Sequence, residues 1–153
     1  MKRQYWEDFI PGQVDELGPI TVSEAEIIAF ARLYDAQPFH IDPVAAEASP
    51  FGGIIASGWH TASLCMCMMV DASRPGDAPM PSPGIEKLRW LKPVRPGDTL
   101  RQTRRVDRVN PSGSRPDRGL VWHNHDLFNQ RGECVMSMTS MVIVGRRPMA
   151  EGA

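Results

Sequence analysis

Asp35 and His40 stand five positions apart in the stretch YDAQPFHIDP, with Pro38 between them. A carboxylate and an imidazole near one another can take, hold and return a proton at ordinary pH. Five positions do not place two side chains on one face of a regular helix. Pro38 removes a backbone donor and biases Gln37 away from the α region, so the segment is expected to be a turn or an extended crossing. Irregular backbone of this kind is where catalytic residues tend to cluster. The competing reading is that Asp35 ends a helix and His40 bonds a local carbonyl. This stretch alone leaves both open.

Other reactive side chains carry less pattern. Cys65 and Cys67 lie two apart in an apolar run, diverge on a helix and read as packed thiols, not as a metal pair. With Cys134 the count is odd and the spacing gives no disulfide framework, which argues against a secreted, stapled fold. His123 and His125 would share one face of a strand. No third ligand stands at motif spacing, so a polar sheet face is the simpler reading and no metal is expected.

A chain of 153 residues is long enough to bury a core and is expected to form one domain, 1–153. Apolar residues make up 42% and charged residues 23%, an ordinary soluble composition, and the net charge of −1 gives no reason to expect nucleic acid or an anionic membrane as partner. The N-terminal MKRQYWEDFIPG lacks the apolar core of a signal peptide, and the longest apolar run, around Leu64 to Val70, is too short to span a bilayer. A cytoplasmic location is the default expectation.

The elements that must position Asp35 and His40 follow from caps and periodicity. FIPGQVDELGPITVS reads as an extended lead with a short strand. Thr21 and Ser23 are each followed three residues later by glutamate, two overlapping capping boxes. Ile27, Phe30, Ala31 and Tyr34 recur at i, i+3, i+4 and i+7, an amphipathic helix that ends at Asp35. Asp42-Pro43 starts a further short helix closed by Pro50. SGWHTASLCMCMMV, from about Ser57 to Val70, is apolar nearly all round and predicts a buried helix. RPGDAPMPSPG at 74–84 is a loop. Then come IEKLRWLKPV, with Leu88 and Trp90 on one face and Lys87 and Arg89 on the other, TLRQTRRVDRV, LVWHNHDLF and ECVMSMTSMVIV, divided by PSGSRPDRG and a tight NQRG turn. Helices followed by strands indicate an α+β class, with a central helix packed on a curved antiparallel sheet.

DAQPFHIDP, FGGIIASGWHT, LRWLKPVRPGDTL and VWHNHDLFNQRGECV, in that order and spacing, resemble the MaoC-like dehydratase family, the (R)-specific enoyl-CoA hydratases with a hot-dog fold. The likeness runs from about Ile10 to Val144. The first motif is similar to the family's Asp-x-Asn-Pro-aliphatic-His signature. Gln37 stands where asparagine is usual, Tyr34 where glycine is frequent, and Phe39 replaces an aliphatic residue; Gln37 still offers an amide to the turn on a longer arm.

The resemblance implies reversible hydration of a trans-2-enoyl thioester, with Asp35 and His40 gripping one water and no acyl-enzyme, metal or cofactor beyond the CoA of the substrate. Which of the two is formally the base stays open. Ser57-Gly58 opens the central helix, where unpaired N–H groups meet the helix dipole, and the Gly58 N–H becomes the natural donor to a developing oxyanion. Ser57, a departure from the family's usual histidine, has a supporting role; the alternative is that Ser57 caps and Gly58 merely packs. Pro38, Phe39, Trp59 and His60 are further candidates for substrate contact, His60 alternatively packing on the sheet. Met66, Met68 and Met69 would give an acyl tunnel a pliable wall, or simply fill the core. Arg89, Lys92, Arg95 and Arg101 are candidates for the phosphates of an acyl-CoA or acyl-carrier-protein thioester. A homodimer joined edge to edge is expected, since it hides open strands. The rival activities are a hot-dog thioesterase, disfavoured because the central helix has no acid before Asp71, and a non-catalytic acyl-thioester binder, which would not need both Asp35 and His40.

Overall fold

The computed structural model describes residues 4–73 and 81–148. Strand β1 (Val14–Thr21) leads into helix α1 (Glu24–Tyr34), two short helices α2 (Pro38–Ile41) and α3 (Pro43–Glu47), and the long helix α4 (Gly58–Asp71). Strands β2 (Gly84–Trp90), β3 (Thr99–Pro111), β4 (Arg118–Phe128) and β5 (Cys134–Gly145) complete an antiparallel sheet ordered β1-β3-β4-β5-β2. The expected loop at 74–84 falls largely outside the described residues.

Ser23, not Thr21, starts α1. Its hydroxyl accepts from the Glu26 N–H at 3.2 Å and the Glu26 carboxylate accepts from the Ser23 N–H at 2.8 Å. Thr21 is still in β1, where its hydroxyl bonds that of Thr99. Ile27 and Ala31 bury the α1 stripe, while Tyr34 is exposed. Asp42 caps α3 by accepting from the Val44 and Ala45 N–H groups, with Pro43 at the first position, where a missing donor costs nothing.

Helix α4 crosses the concave face of the sheet. Cys65 and Met68 pack with Leu100, Leu127, Val135 and Met136, each fully or almost fully buried. A buried side chain of this size contributes roughly 1.5–3 kcal/mol, which makes this contact the anchor of the helix. The all-round burial expected of α4 is not what the chain shows: Trp59, Met66, Cys67 and Val70 are exposed.

Strand β2 also departs from simple alternation. Its register with β5 shifts between Glu86 and Arg89, and Lys87 takes φ +55°, a left-handed conformation that costs a lysine energy. The bulge separates Leu88, which packs on the core, from Trp90, which lies over the start of α4.

Candidate active site

Two elements end beside one another at Asp35 and Ser57. Asp35 is the C-cap of α1, its N–H donating to Ala31 O at 2.8 Å. Gln37 is extended, as a residue before proline must be, and Pro38 then opens a single helical turn, α2, where a turn or extended crossing was expected. Proline is tolerated at that first position because its absent N–H has no partner to lose. The turn carries His40 back toward Asp35, so that His40 Nε2 lies 3.4 Å from Asp35 Oδ2. The local contacts do not keep the pair apart. Asp35 does end a helix, His40 does bond a local carbonyl, and the two side chains still meet.

The carbonyl contact fixes the imidazole. His40 Nδ1 sits 2.7 Å from Ile55 O, and a carbonyl can only accept, so the ring proton is on Nδ1. Neutral His40 therefore presents a lone pair at Nε2. Asp35 Oδ2 is also an acceptor, so these two atoms do not bond directly but form a pair of acceptors facing one small gap.

Asp35 is held in place by two donors. Ser57 Oγ–H donates to Oδ2 at 2.7 Å and the Gln37 amide donates to Oδ1 at 2.9 Å. The Ser57 bond, then the Gln37 bond, hold the Asp35 carboxyl below the usual carboxylate range, against the smaller opposing effect of burial, and the charge of His40, when that ring is protonated, adds to the lowering. Ser57 is fully buried and also caps α4, accepting from the Trp59 N–H at 3.2 Å. The Gly58 N–H, first in the helix, has no acceptor among the described residues. It lies at the positive end of the α4 dipole.

Gly58 is also required by packing. A Cβ there would stand 2.5 Å from Trp90 Cε2, and the Trp90 indole N–H donates to Gly58 O at 2.8 Å. Sequence reasoning did not assign Trp90 to the site. Its only signal was a large aromatic on a strand ahead of the Pro93 turn.

Two cavities flank the start of α4. The smaller, about 290 Å³, is lined by His40, Phe51, Gly58, Thr61, Trp90 and Lys92 among others. The larger, about 780 Å³, lies between α4 and the sheet, with Trp59, Met66 and Met69 on the helix side. Trp59 and Trp90 meet edge to face, centroids 5.3 Å apart, at the boundary between them. Met68 is in the core instead.

The remaining candidates are placed differently. Pro38 is exposed and Phe39 packs between the rings of His40 and Phe51; neither lines these cavities. His60 turns away to stack on Phe30 of α1, centroids 4.7 Å apart, rather than on the sheet, and burial pushes its pKa down. Of the four cationic candidates only Lys92 borders the smaller cavity, and it is paired with Glu133 at 2.7 Å. Arg95 donates to Phe51 O and Arg89 to the adjacent Leu88 O. His125 uses both ring nitrogens, on Gln102 and Ser140.

Comparison with known proteins agrees with this geometry. Residues 9–115 match the family described as MaoC like domain. The crystal structure of the MaoC-like dehydratase from Rhodospirillum rubrum is 42% identical and superposes with a TM-score of 0.88, covering 95% of this chain and 99% of that one. Protein MaoC of Klebsiella aerogenes is 34% identical over 126 residues, 80% of this chain but 37% of its own length. A 3-hydroxybutyryl-CoA dehydratase of Methylorubrum extorquens is 30% identical over 101 residues, 63% of this chain and 59% of that protein, so this chain spans well under two thirds of both curated relatives. With its five-stranded antiparallel sheet curved about one long helix, the chain belongs to the MaoC-like dehydratase family and has the hot-dog fold.

Proposed function

We propose that the protein reversibly adds water across the C2–C3 double bond of a trans-2-enoyl thioester, giving the (R)-3-hydroxyacyl thioester. The observation that carries this reading is the pair of acceptors, Asp35 Oδ2 and His40 Nε2, set 3.4 Å apart close to the unpartnered Gly58 N–H. A water that donates one hydrogen to each acceptor turns its oxygen lone pairs toward the substrate. As oxygen bonds to C3, the pair takes one water proton and the π electrons move onto the thioester oxygen. The Gly58 N–H stabilises that oxyanion, a contribution of about 3 kcal/mol in comparable sites. The proton held by the pair then returns to C2, and the enolate collapses to the thioester. The addition balances without a cofactor or metal; CoA, or a carrier protein bearing the same acyl group, enters only with the substrate. The proton belongs to Asp35 and His40 as a coupled unit.

The name of the Methylorubrum relative supports a CoA thioester and the dehydration direction. Met66 and Met69 make the larger cavity a pliable place for the acyl chain. Ser57 orients Asp35, while Pro38 and Phe39 shape the turn that delivers His40. The exposed apolar faces of Trp59, Met66, Val70, Ile85, Trp90 and Leu91, beside the open edge of β2, favour burial against a second copy of the chain. Free thiols at Cys65, Cys67 and Cys134 fit a reducing, cytoplasmic setting, and among the described residues no helix is long and apolar enough to cross a membrane.

The test is loss of the ultraviolet absorbance of the conjugated enoyl thioester, starting with crotonyl-CoA. Wild type should bleach it, while Asp35→Asn and His40→Ala, still folded by circular dichroism, should each lose about 10²–10⁴-fold. Release of free thiol in place of hydration would establish a thioesterase and refute the reading.

A further inference from the structure

The larger cavity is not apolar throughout. At its sheet wall, Arg104, His123, His125 and Ser140 stand beside the apolar Met138 and Val142 of β5, facing Met66, Met69 and Val70 of α4. An inner wall meant only to hold hydrocarbon gains nothing from four polar side chains, each of which costs free energy to bury.

The hydrogen-bond directions show that this wall is arranged with unused capacity. The Gln102 amide nitrogen can only donate, and it lies 2.8 Å from His125 Nδ1. The His125 proton is then on Nε2, which donates to Ser140 Oγ at 2.7 Å. The Ser140 hydroxyl hydrogen is left over, on a side chain that borders the cavity. The reverse amide orientation would leave both amide hydrogens unpaired, in place of one hydrogen and the buried oxygen. His123, 5% exposed, has no side-chain hydrogen bond among the described residues, and its Nε2 is buried without a partner. Arg104 spends Nε and Nη2 on Asp15, at 3.2 and 2.8 Å, and has no partner at Nη1 among the described residues. Burial, with the Arg104 charge, holds His123 down at about 4, so the ring is neutral and offers one donor and one acceptor.

Unused donors therefore converge from three strands on one wall of a pocket whose lining is otherwise mostly apolar. We propose that the cavity receives an acyl tail whose far end carries an oxygen, as carboxylate or hydroxyl, bound by Ser140, His123 and Arg104. This deepens the hydratase reading of Asp35 and His40 and rests on it. A plain alkyl tail would bury the same donors unpaired, and that is the basis of the selectivity.

The experiment compares three trans-2-enoyl-CoA substrates of equal carbon number, with a methyl, a hydroxyl or a carboxylate at the far end, using wild type, Ser140→Ala and His123→Phe. Wild type should show kcat/KM at least about tenfold higher for one oxygenated tail than for the methyl. A carboxylate preference adds Arg104 to Ser140 and His123 as a binding group, and a hydroxyl preference assigns the binding to Ser140 and His123. In either variant the ratio of oxygenated to methyl substrate should fall toward one. Because the readout is a ratio within one protein, partial loss of folded enzyme does not mimic it, and the two variants check each other. Equal kcat/KM for all three in wild type overturns this inference and leaves the hydratase reading standing, as does a preference that survives both substitutions. No hydration of any substrate removes the hydratase reading, and this inference with it.

Discussion

Ser57→Ala separates two jobs that one hydroxyl performs. The first is capping α4 through the Trp59 N–H, and losing such a cap costs about 1 kcal/mol. The second is donation to the ionised Asp35, a bond to a charged group worth roughly 1.5–3 kcal/mol when shielded. The Asp35 side chain is 21% exposed, so water replaces part of the lost bond and the lower end applies. The two together give about 2.5 kcal/mol near neutral pH, a fall of about 5–10 °C in Tm for a chain this long. The two parts respond differently to pH. Asp35 is held below the usual carboxylate range chiefly by Ser57, so its share of stability is present above about pH 4 and is lost as pH falls through the lowered value. The cap does not titrate. The gap in stability between wild type and Ser57→Ala should therefore narrow in acid, over the range where both remain folded. The Asp35 carboxyl carbon, followed by NMR, should titrate at higher pH in the variant. Crotonyl-CoA hydration should fall about 10–100-fold, since Asp35 loses its main orienting donor. A gap that stays constant with pH, with an unmoved Asp35 titration, would reduce Ser57 to a helix cap and refute the coupling.

Two further outcomes follow from the packing. Gly58→Ala should drive the Trp90 ring off the helix start, because the new Cβ falls 2.5 Å from it, and should destabilise the fold by about 1–3 kcal/mol. Adding Trp90→Leu should recover most of that stability in denaturant titrations; if it does not, the clash is not the cause. His123 and His125 are held down at about 4 and about 3 by burial, so both are neutral in the folded state and protonate in the unfolded chain below about pH 6.5. Stability should be full above that pH and decline as pH falls toward those values, by roughly 3 kcal/mol for His123 alone. The acid-induced loss should be smaller in His123→Phe, and an unchanged slope would show that the ring is not buried neutral.

What the sequence made legible was local. Ser23 with Glu26, Asp42 with Pro43, and Ser57 are helix starts whose cap and partner lie within four residues, and each forms. The meeting of Asp35 with His40 was visible as proximity, but its form was not. Pro38 read as a reason against helix, whereas at the first position of a single turn it favours one. Apart from the Gln37 amide, what orients the pair comes from farther away: Ser57 from 22 residues, and the Ile55 carbonyl from 15. No periodicity reports a contact of that range. Strand alternation placed His123 and His125 on one face, but whether that face looks at water or at α4 depends on how the sheet curls. It looks at α4. In β2 the alternation itself fails, because the bulge at Lys87 turns Trp90 onto Gly58.

Ser57 also explains how a site assembled from separate helices can act as one. The Asp35 carboxylate lies at the C-terminus of α1 and the Gly58 N–H at the N-terminus of α4, and two helix ends held only by core packing could drift by a few tenths of an ångström relative to each other. A hydroxyl that donates to Asp35 and accepts from the first turn of α4 makes that distance a matter of two hydrogen bonds. The His40 ring is tied in the same manner, since its Nδ1 proton is held by Ile55, two residues before Ser57. Asp35, His40 and the Gly58 N–H are thus all referenced to the segment Ile55–Gly58. The proposed hydration asks for a water between the two acceptors and the thioester oxygen at the Gly58 N–H, and both demands fall on one short stretch of backbone. A displacement of that stretch moves the three groups together, so the geometry of attack is preserved even where the helices around it breathe.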